Sequence, residues 1–383
     1  MLQPLITSSS GTAHQKHRST LVPPGSPSLL RDVAPASLRE AADSDILDAN
    51  TEVSICFRSH YIPLELISDG RLNSWEGPAL RGLLGKPLRD SMCILRPLEQ
   101  RVANRKLQSS GDARARLELY CKGCTKQQEC VYGQVFEPDL LQLHGRIRKG
   151  VQDGMRLVTV AMPFPGPEEA EAGMTLFARV MTIGDTAESV VPLILEKLAE
   201  FGTSRGLGPD HVCFEVDPTE IVREDRTLRS DDLPRDVDRG KVPLIHLRLG
   251  SPLSLKGFDR VGSKPPGFAD LVKDSIRTVL RVVRECGQME ALQDVNVSGL
   301  VRAAEQVECE QSQFEWFEQS RSSRRQQLHG GLSSQWEFTG WTGSATYRDV
   351  PISLLPWLTW AGHIGLGDSR TCGAGLWCLD VRA

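Results

Sequence analysis

At 383 residues, 40% apolar and 25% charged, the chain is long enough for two ordinary cores and too apolar for a disordered protein. It holds no run of about 20 apolar residues, which excludes a membrane-spanning helix, and its start lacks the apolar core and cleavage site of a secretory signal. The formal charge of −4 excludes a global pull toward nucleic acid, so any such site must be a local basic surface.

Residues 1–49 are rich in Ser, Pro, Ala and Thr without sustained periodicity and read as a disordered tail. Order is expected to begin at Glu52–Arg58, where Val53, Cys56 and Phe57 alternate with polar neighbours as in a strand. After the turn at Ser68-Asp-Gly-Arg, residues Glu76–Arg89 place Leu80, Leu83, Leu84 and Leu88 on one helical face. Gly82 and Gly85 lie inside that helix at about 1 kcal/mol each relative to Ala, which suggests close backbone packing onto the sheet or close approach of a ligand. Strands are expected at Met155–Ala161 and Thr175–Met181. A helix capped by Asp185 or Thr186 follows to Phe201, then the turn Arg205-Gly-Leu-Gly208 and the strand Val212–Val216. Strand, helix, strand, strand, helix, strand is the order of a ferredoxin-like domain.

The charged stretch Arg223–Lys241 reads as a linker or an exposed hairpin, and the pattern then restarts. A strand at Leu244–Leu249 leads to a helix at Phe268–Cys286 with Leu271, Ile276, Val279, Leu280 and Val283 on its buried side. Residues 288–320 look helical, strands return at Trp336–Tyr347 and Gly375–Val381, and Ile352–Ala361 forms a short helix between them. The fold class expected is α+β: two tandem ferredoxin-like (RRM-like) domains with a cysteine-rich insertion in the first. The domains are 50–225, with the insertion at 93–135, and 242–383, joined by a linker at 226–241.

Of ten cysteines, Cys93, Cys121, Cys124 and Cys130 cluster at tight spacing. Cys121-Lys-Gly-Cys124 makes a chelate turn, and without a secretory signal the four read as metal ligands before they read as disulfide partners. A structural Zn²⁺ is expected ahead of an iron–sulfur cluster, which uses the same ligands. The plain alternative is a core Cys93 beside three reduced thiols. The segment 362–376 carries Gly362, Gly365, Gly367, Gly373 and Gly375 with Arg370 between them. Glycine admits positive φ and lets backbone N–H groups approach a phosphate, and Arg370 adds a fixed charge. The segment lacks the Lys and Ser/Thr of a nucleotide P-loop.

Three stretches of the second half carry a resemblance: Gly340–Asp349, Leu354–Gly365 and the glycine-rich loop. Together with the basic approach Arg321-Ser-Ser-Arg-Arg-Gln, they resemble the C-terminal signature of the CRISPR-associated precursor-RNA processing endoribonucleases, members of the RAMP superfamily. Pro78–Gly85, Phe177–Val216 and Leu249–Lys256 are similar to that family's leading helix, its helix with closing strand, and its domain-opening motif. The resemblance covers most of residues 52–381.

It implies an intracellular, cytoplasmic protein that binds CRISPR repeat RNA, alone or with other CRISPR effector subunits and with no membrane partner. It also implies cleavage without a catalytic metal, in which the ribose 2′-hydroxyl attacks and a cyclic phosphate is left. Under that reading His60 and His329 are the candidate bases, and Tyr61 is a proton partner by proximity. Arg324, Arg325, Gly365, Gly367, Arg370, Gly373 and Gly375 contact RNA, and His363 is structural. Asp368 stands where the family's loop often carries Lys, so Arg370 must supply the positive charge. The alternatives are an RNA-binding subunit that does not cut and, from another class, a metal–thiolate redox protein.

Overall fold

The computed structural model describes residues 20–21, 54–94, 126, 129–138, 155–258, 263–322, 335–367 and 369–382. The strands of the first half are β1 (Thr20–Leu21), β2 (Ser54–Leu66), β3 (Gly70–Arg71), β4 (Val158–Ala161), β5 (Glu169–Ala170), β6 (Thr175–Ile183), β7 (Phe214–Val216) and β8 (Val222–Arg229). Those of the second half are β9 (Lys241–Leu249), β10 (Glu308–Ser322), β11 (Gln335–Pro351) and β12 (Trp377–Arg382). The α-helices are α1 (Gly77–Met92), α2 (Val131–Phe136), α3 (Gly184–Glu188), α4 (Val191–Ser204), α5 (Phe268–Glu285), α6 (Val297–Ala304) and α7 (Leu355–Ile364).

The protein is α+β with antiparallel main sheets. In the first sheet β2 is central: it pairs antiparallel with β6 on one side and with β7 and β8 along the other, while β4 pairs antiparallel with β6. The second sheet runs β10-β11-β9-β12, again antiparallel. Numbered within each half, both sheets follow the order 2-3-1-4, with helices between the first and second strands and between the third and fourth.

Because β-strand side chains alternate faces, β2 divides two environments. Ile62, Leu64 and Leu66 pack under α1, α2 and α4 with Leu80, Leu84, Phe136, Ile194 and Leu198. Ile55 and Phe57 join a second core that runs on into α5, α7 and the second sheet through Ile276, Val279, Trp357, Leu358 and Leu247. The helices of the second half therefore cover one face of the first sheet. The two halves share a core at that junction, and burial of its side chains contributes roughly 1.5–3 kcal/mol for each large apolar residue.

Several expectations change. The helix expected from Asp185 to Phe201 is broken into α3 and α4, with Pro192 in the first turn of α4. Proline cannot supply the N–H a continuous helix would need there, so it starts a new one. Residues expected in the 226–241 linker begin as β8, whose Leu228 is fully buried in an otherwise charged run. The expected helix over 288–320 is only α6 and a short 3₁₀ turn. From Glu308 the chain is a 15-residue strand. Glu, Gln and Ser dominate that strand, so apolar alternation is too sparse to announce it. Within the expected disordered tail, Thr20–Leu21 pair parallel with Thr175–Leu176 of β6. The remainder of that tail lies outside the described residues.

Candidate functional site

The glycine-rich segment links α7 to β12 and is packed into the junction. Several of its amides are spent on the protein. Leu366 N donates to Gly375 O at 3.1 Å, Gly375 N to Pro252 O at 2.9 Å, and Leu376 N to Ser251 Oγ at 2.9 Å. Gly365 N donates to Ala361 O, Gly373 N to Arg370 O, and Ala374 N to Ser369 O. Gly373 shows what the glycines are for. Its φ is +82°, and a β-carbon there would lie 2.5 Å from Ala161 Cβ of β4. The backbone of the second half thus lies directly on the first sheet. Gly77, opening α1, meets the Cys372 carbonyl in the same way. The close approach on α1 is therefore at Gly77. At Gly85 the nearest neighbour is the flexible end of Arg81.

Arg370 is 8% exposed. Its guanidinium donates to Thr159 Oγ1 at 3.1 Å and to the Arg156 carbonyl, both in or beside β4. Burial, with Arg281 and Arg156 nearby, pulls its pKa down to about 9. Of the residues expected to touch RNA, Arg370 and Gly373 clasp the first half, while Gly365, Gly367 and Gly375 pack against backbone of the second.

His60 and Tyr61 are sequence neighbours that point to opposite faces of β2, and each anchors its own polar cluster. On the helix-covered face, His60 Nε2 lies 3.1 Å from both carboxylate oxygens of Glu188 at the end of α3. Thr182 Oγ1 donates to Glu188 Oε2 at 2.7 Å, and Arg223 Nη1 is 3.5 Å from Oε1. Burial by itself would raise the Glu188 carboxyl. The hydrogen bonds from Thr182 and His60, with the charges of His60 and Arg223, hold it below the ordinary carboxylate value. A carboxylate that fixes one imidazole nitrogen is the base-and-orienter arrangement of acid–base sites. Here the imidazole is only 6% exposed.

On the face toward the second half, Tyr61 Oη donates to Glu224 Oε2 at 3.2 Å, and Glu224 Oε1 accepts from Arg226 Nε at 2.8 Å. Across from Tyr61 on β6 sits Arg179, 2% exposed. Its Nε and Nη2 donate to Ser59 Oγ at 3.1 and 3.0 Å, and Nη2 reaches His363 Nδ1 at 3.0 Å and the His363 carbonyl at 3.2 Å. No carboxylate of the described residues bonds this guanidinium, and burial pulls its pKa below the ordinary value. Burial, then the charges of Arg179 and Arg226, push His363 well below 6.5, so its imidazole is neutral at pH 7. Phe57 and Trp360 complete the wall, with ring centroids 5.0 Å apart. A neutral imidazole beside a guanidinium can accept a proton while the cation stabilises developing negative charge. Burial makes the same pair a bond between the halves.

Arg179, Glu188 and Glu224 were not singled out from the sequence. The legible signal was Arg179 itself, a charge in the apolar run Leu176–Met181. Buried arginines in central strands are rare unless something engages them.

A second contact between the halves is made by the β10–β11 hairpin. Trp75 N donates to Gln319 Oε1 at 3.0 Å, and Gln319 Nε2 donates back to Trp75 O at 2.9 Å. Trp75 meets Phe338 edge-on at 5.7 Å, and Phe164 meets Phe317 at 5.1 Å. His329, Arg324 and Arg325, which the sequence places between β10 and β11, lie outside the described residues, as do Cys121, Cys124 and Asp368. Among the described residues no group of three or more His, Cys, Asp or Glu is placed to hold a metal ion. No described helix is long and apolar enough to cross a membrane.

The family model AF_1859_N, described as an N-terminal domain, matches residues 56–236. No curated protein matches the chain. A solved structure titled as a partial Cas6-RT-Cas1–Cas2 complex matches at 12% identity and a TM-score of 0.47, over 86% of this chain and 46% of that one. The chain thus spans under half the length of that relative. A Thermus thermophilus Cas6 matches at 14% identity and a TM-score of 0.38, over 85% of this chain and 99% of its own. A structure titled CRISPR associated protein Cas6 matches at 10% identity and a TM-score of 0.35, over 85% and 100% of the two chains.

Proposed function

We propose that this chain binds CRISPR repeat RNA and cleaves it without a catalytic metal, the ribose 2′-hydroxyl attacking the adjacent phosphate to leave a cyclic phosphate. The observation that carries the reading is the place of the glycine-rich segment, the most specific part of the sequence resemblance. It closes a junction between two sheets of the same 2-3-1-4 order. That order is the one a ferredoxin-like domain has, which supports two tandem ferredoxin-like halves. The solved structures that the chain matches are titled Cas6 or Cas6-RT-Cas1–Cas2, and other CRISPR subunits are proposed as partners on the same footing.

The chemistry needs a base for the 2′-hydroxyl and a cation or acid for the phosphorane and the leaving oxygen. His60, oriented by Glu188, and His329, within a basic stretch of sequence, are the proposed bases. Tyr61 lies on the other face of β2 from His60, so the two do not act as one relay. Arg324 and Arg325 are the proposed backbone contacts, since phosphate recognition carries most of the affinity for RNA. Arg370 supports the site by holding the loop on β4.

A second reading, an RNA-binding subunit that does not cut, is favoured by one observation. His60 and Arg370 both turn their polar atoms toward protein partners, and both are less than a tenth exposed. Incubating the protein with its repeat RNA in EDTA, then identifying the product ends, separates the readings. The expected result is a cyclic phosphate whose formation falls at least 100-fold in His60→Ala or His329→Ala. Tight binding with intact RNA would establish the second reading, and no binding would overturn both.

A further inference from the structure

Cleavage by a 2′-hydroxyl needs a cation at the phosphate as well as a base, and two arginines stand beside His60. Side chains two apart on a strand share a face, so Arg58 is the neighbour of His60 on β2, about 7 Å along it. Arg223 faces His60 directly from β8, and Asp225 faces Arg58. Both guanidinium groups therefore lie on the face of β2 that carries the His60–Glu188 pair.

The two differ in what they have left to offer. Arg223 is engaged on two sides: its Nε and Nη2 donate to the two oxygens of Asp225 at 2.6 and 2.7 Å, and its Nη1 lies 3.5 Å from Glu188 Oε1. The Arg58 side chain makes one hydrogen bond among the described residues, from Nη2 to Asp185 Oδ1 at 2.7 Å. Its Nε and Nη1 are buried and have no acceptor among those residues. Taking a guanidinium nitrogen out of water without an acceptor is costly, and native proteins rarely leave it so without a use.

The partner that Arg58 does have is a weak one. The Asp185 side chain is 92% exposed, so water and salt screen the pair. It also stops at a single bond. A phosphate in its place can take two parallel bonds from one edge of the guanidinium, Nη2 with either Nε or Nη1. That position is one side chain away from the imidazole. With Nε2 turned to Glu188, the His60 nitrogen left to take a proton is Nδ1.

We propose that Arg58 receives an RNA phosphate beside His60, and that Asp185 holds that place in the free protein. One anion replaces another: the Asp185 carboxylate leaves the guanidinium as the phosphate oxygens arrive, no covalent bond changes and no proton moves. The inference rests on the RNA-binding reading and holds for both of its forms, with or without cleavage. Where the RNA is cut, Arg58 also stabilises the charge that builds on the phosphorane.

The test is a double-mutant cycle on the full chain, read as the dissociation constant for its own repeat RNA at one fixed salt concentration. Asp185→Asn should tighten binding about 2–5-fold, because the guanidinium loses its competing carboxylate. Arg58→Gln should weaken binding at least about 10-fold. Arg58→Lys keeps the charge without the fork and should recover only part of that loss. Asp294→Asn is the charge control. It breaks another exposed pair, with Arg235 at 2.6 Å, and should change the affinity by less than about 2-fold. In the Arg58→Gln background, Asp185→Asn should gain no more than this control does.

Equal gains from Asp185→Asn with and without Arg58, or equal gains from Asp185→Asn and Asp294→Asn, would reveal a general charge effect and overturn the proposal. So would an unchanged affinity in Arg58→Gln. If circular dichroism shows that Arg58→Gln does not fold, the comparison of the two surface variants decides. A wild-type chain that binds no repeat RNA overturns the RNA reading, and this inference with it.

Discussion

The glycine-rich segment and the β10–β11 hairpin hold the same two halves together by different means. The segment puts backbone against backbone. Several of its amides are internally paired, its one arginine is buried, and Gly373 leaves no room for a side chain over Ala161. The hairpin instead reaches across with side chains, a reciprocal amide pair from Gln319 and two edge-on aromatic contacts, and stays exposed along much of its length. At Gly373 what approaches is the other half of the protein, whereas at Gly365, Gly367 and Gly375 it is the second half's own backbone.

Substitutions rank these two contacts. Gly373→Val should be the most damaging, at more than about 3 kcal/mol, because it combines a strained φ with an overpacked contact. Gly173→Val is its control, with a φ of +86° and nothing within 4 Å of the added carbon, and should cost about 1–2 kcal/mol from strain alone. Equal urea midpoints for the two variants would mean that the loop is not packed against β4.

Acid should loosen the junction next. His363 has its folded pKa depressed below 6.5, so below that pH the unfolded chain takes up a proton that the folded one refuses. The contribution of the neutral imidazole is therefore complete above 6.5 and declines as the pH falls, by at most about 1.4 kcal/mol per pH unit. Glu188 adds its own loss only below about 4.5. Urea unfolding at a series of pH values should show this slope, and His363→Gln should flatten it between pH 6.5 and 5.

On the hairpin, Gln319→Ala should cost about 1–2 kcal/mol by leaving the Trp75 N–H and carbonyl without their partner. Protease nicking of the hairpin should rise with it, while the core of the first half keeps its hydrogen-exchange protection. The smallest effect belongs to the exposed Arg348–Glu310 pair between the hairpin strands. Arg348→Ala should shift stability by no more than about 0.5 kcal/mol, and that shift should vanish in high salt.

Much of the fold was legible because apolar periodicity is a local signal. α1, α5 and the central strands appear where the spacing of Leu80–Leu88, Leu271–Val283 and Leu244–Leu249 put them. β10 was read as helix because its residues face solvent or meet partners on β11 and at Trp75, far away in sequence, and neither leaves a period. Leu228 passed as linker because a single apolar residue has no pattern.

The candidate site was less legible. His60 and Tyr61 could be chosen as polar residues near the leading helix. Which partner each meets depends on α3, β8 and β6 arriving on the correct faces. Arg179 could be seen as odd in its strand, but not as the neighbour of His363, 184 residues away.

By itself the sequence determined the α+β class, the restart of the pattern after Lys241, the tight cysteine spacing and the glycines that close the chain. Those properties depend on residues within a turn or two of one another, and local sterics and periodicity are enough to express them. Only the tertiary structure decided that the glycine-rich segment is a clasp, that His60 and Tyr61 belong to separate clusters, and that the Cys130 thiol meets the Met92 carbonyl at the end of α1. Each of these depends on which surfaces meet after burial, and apolar burial, which drives the meeting, carries no address of its own.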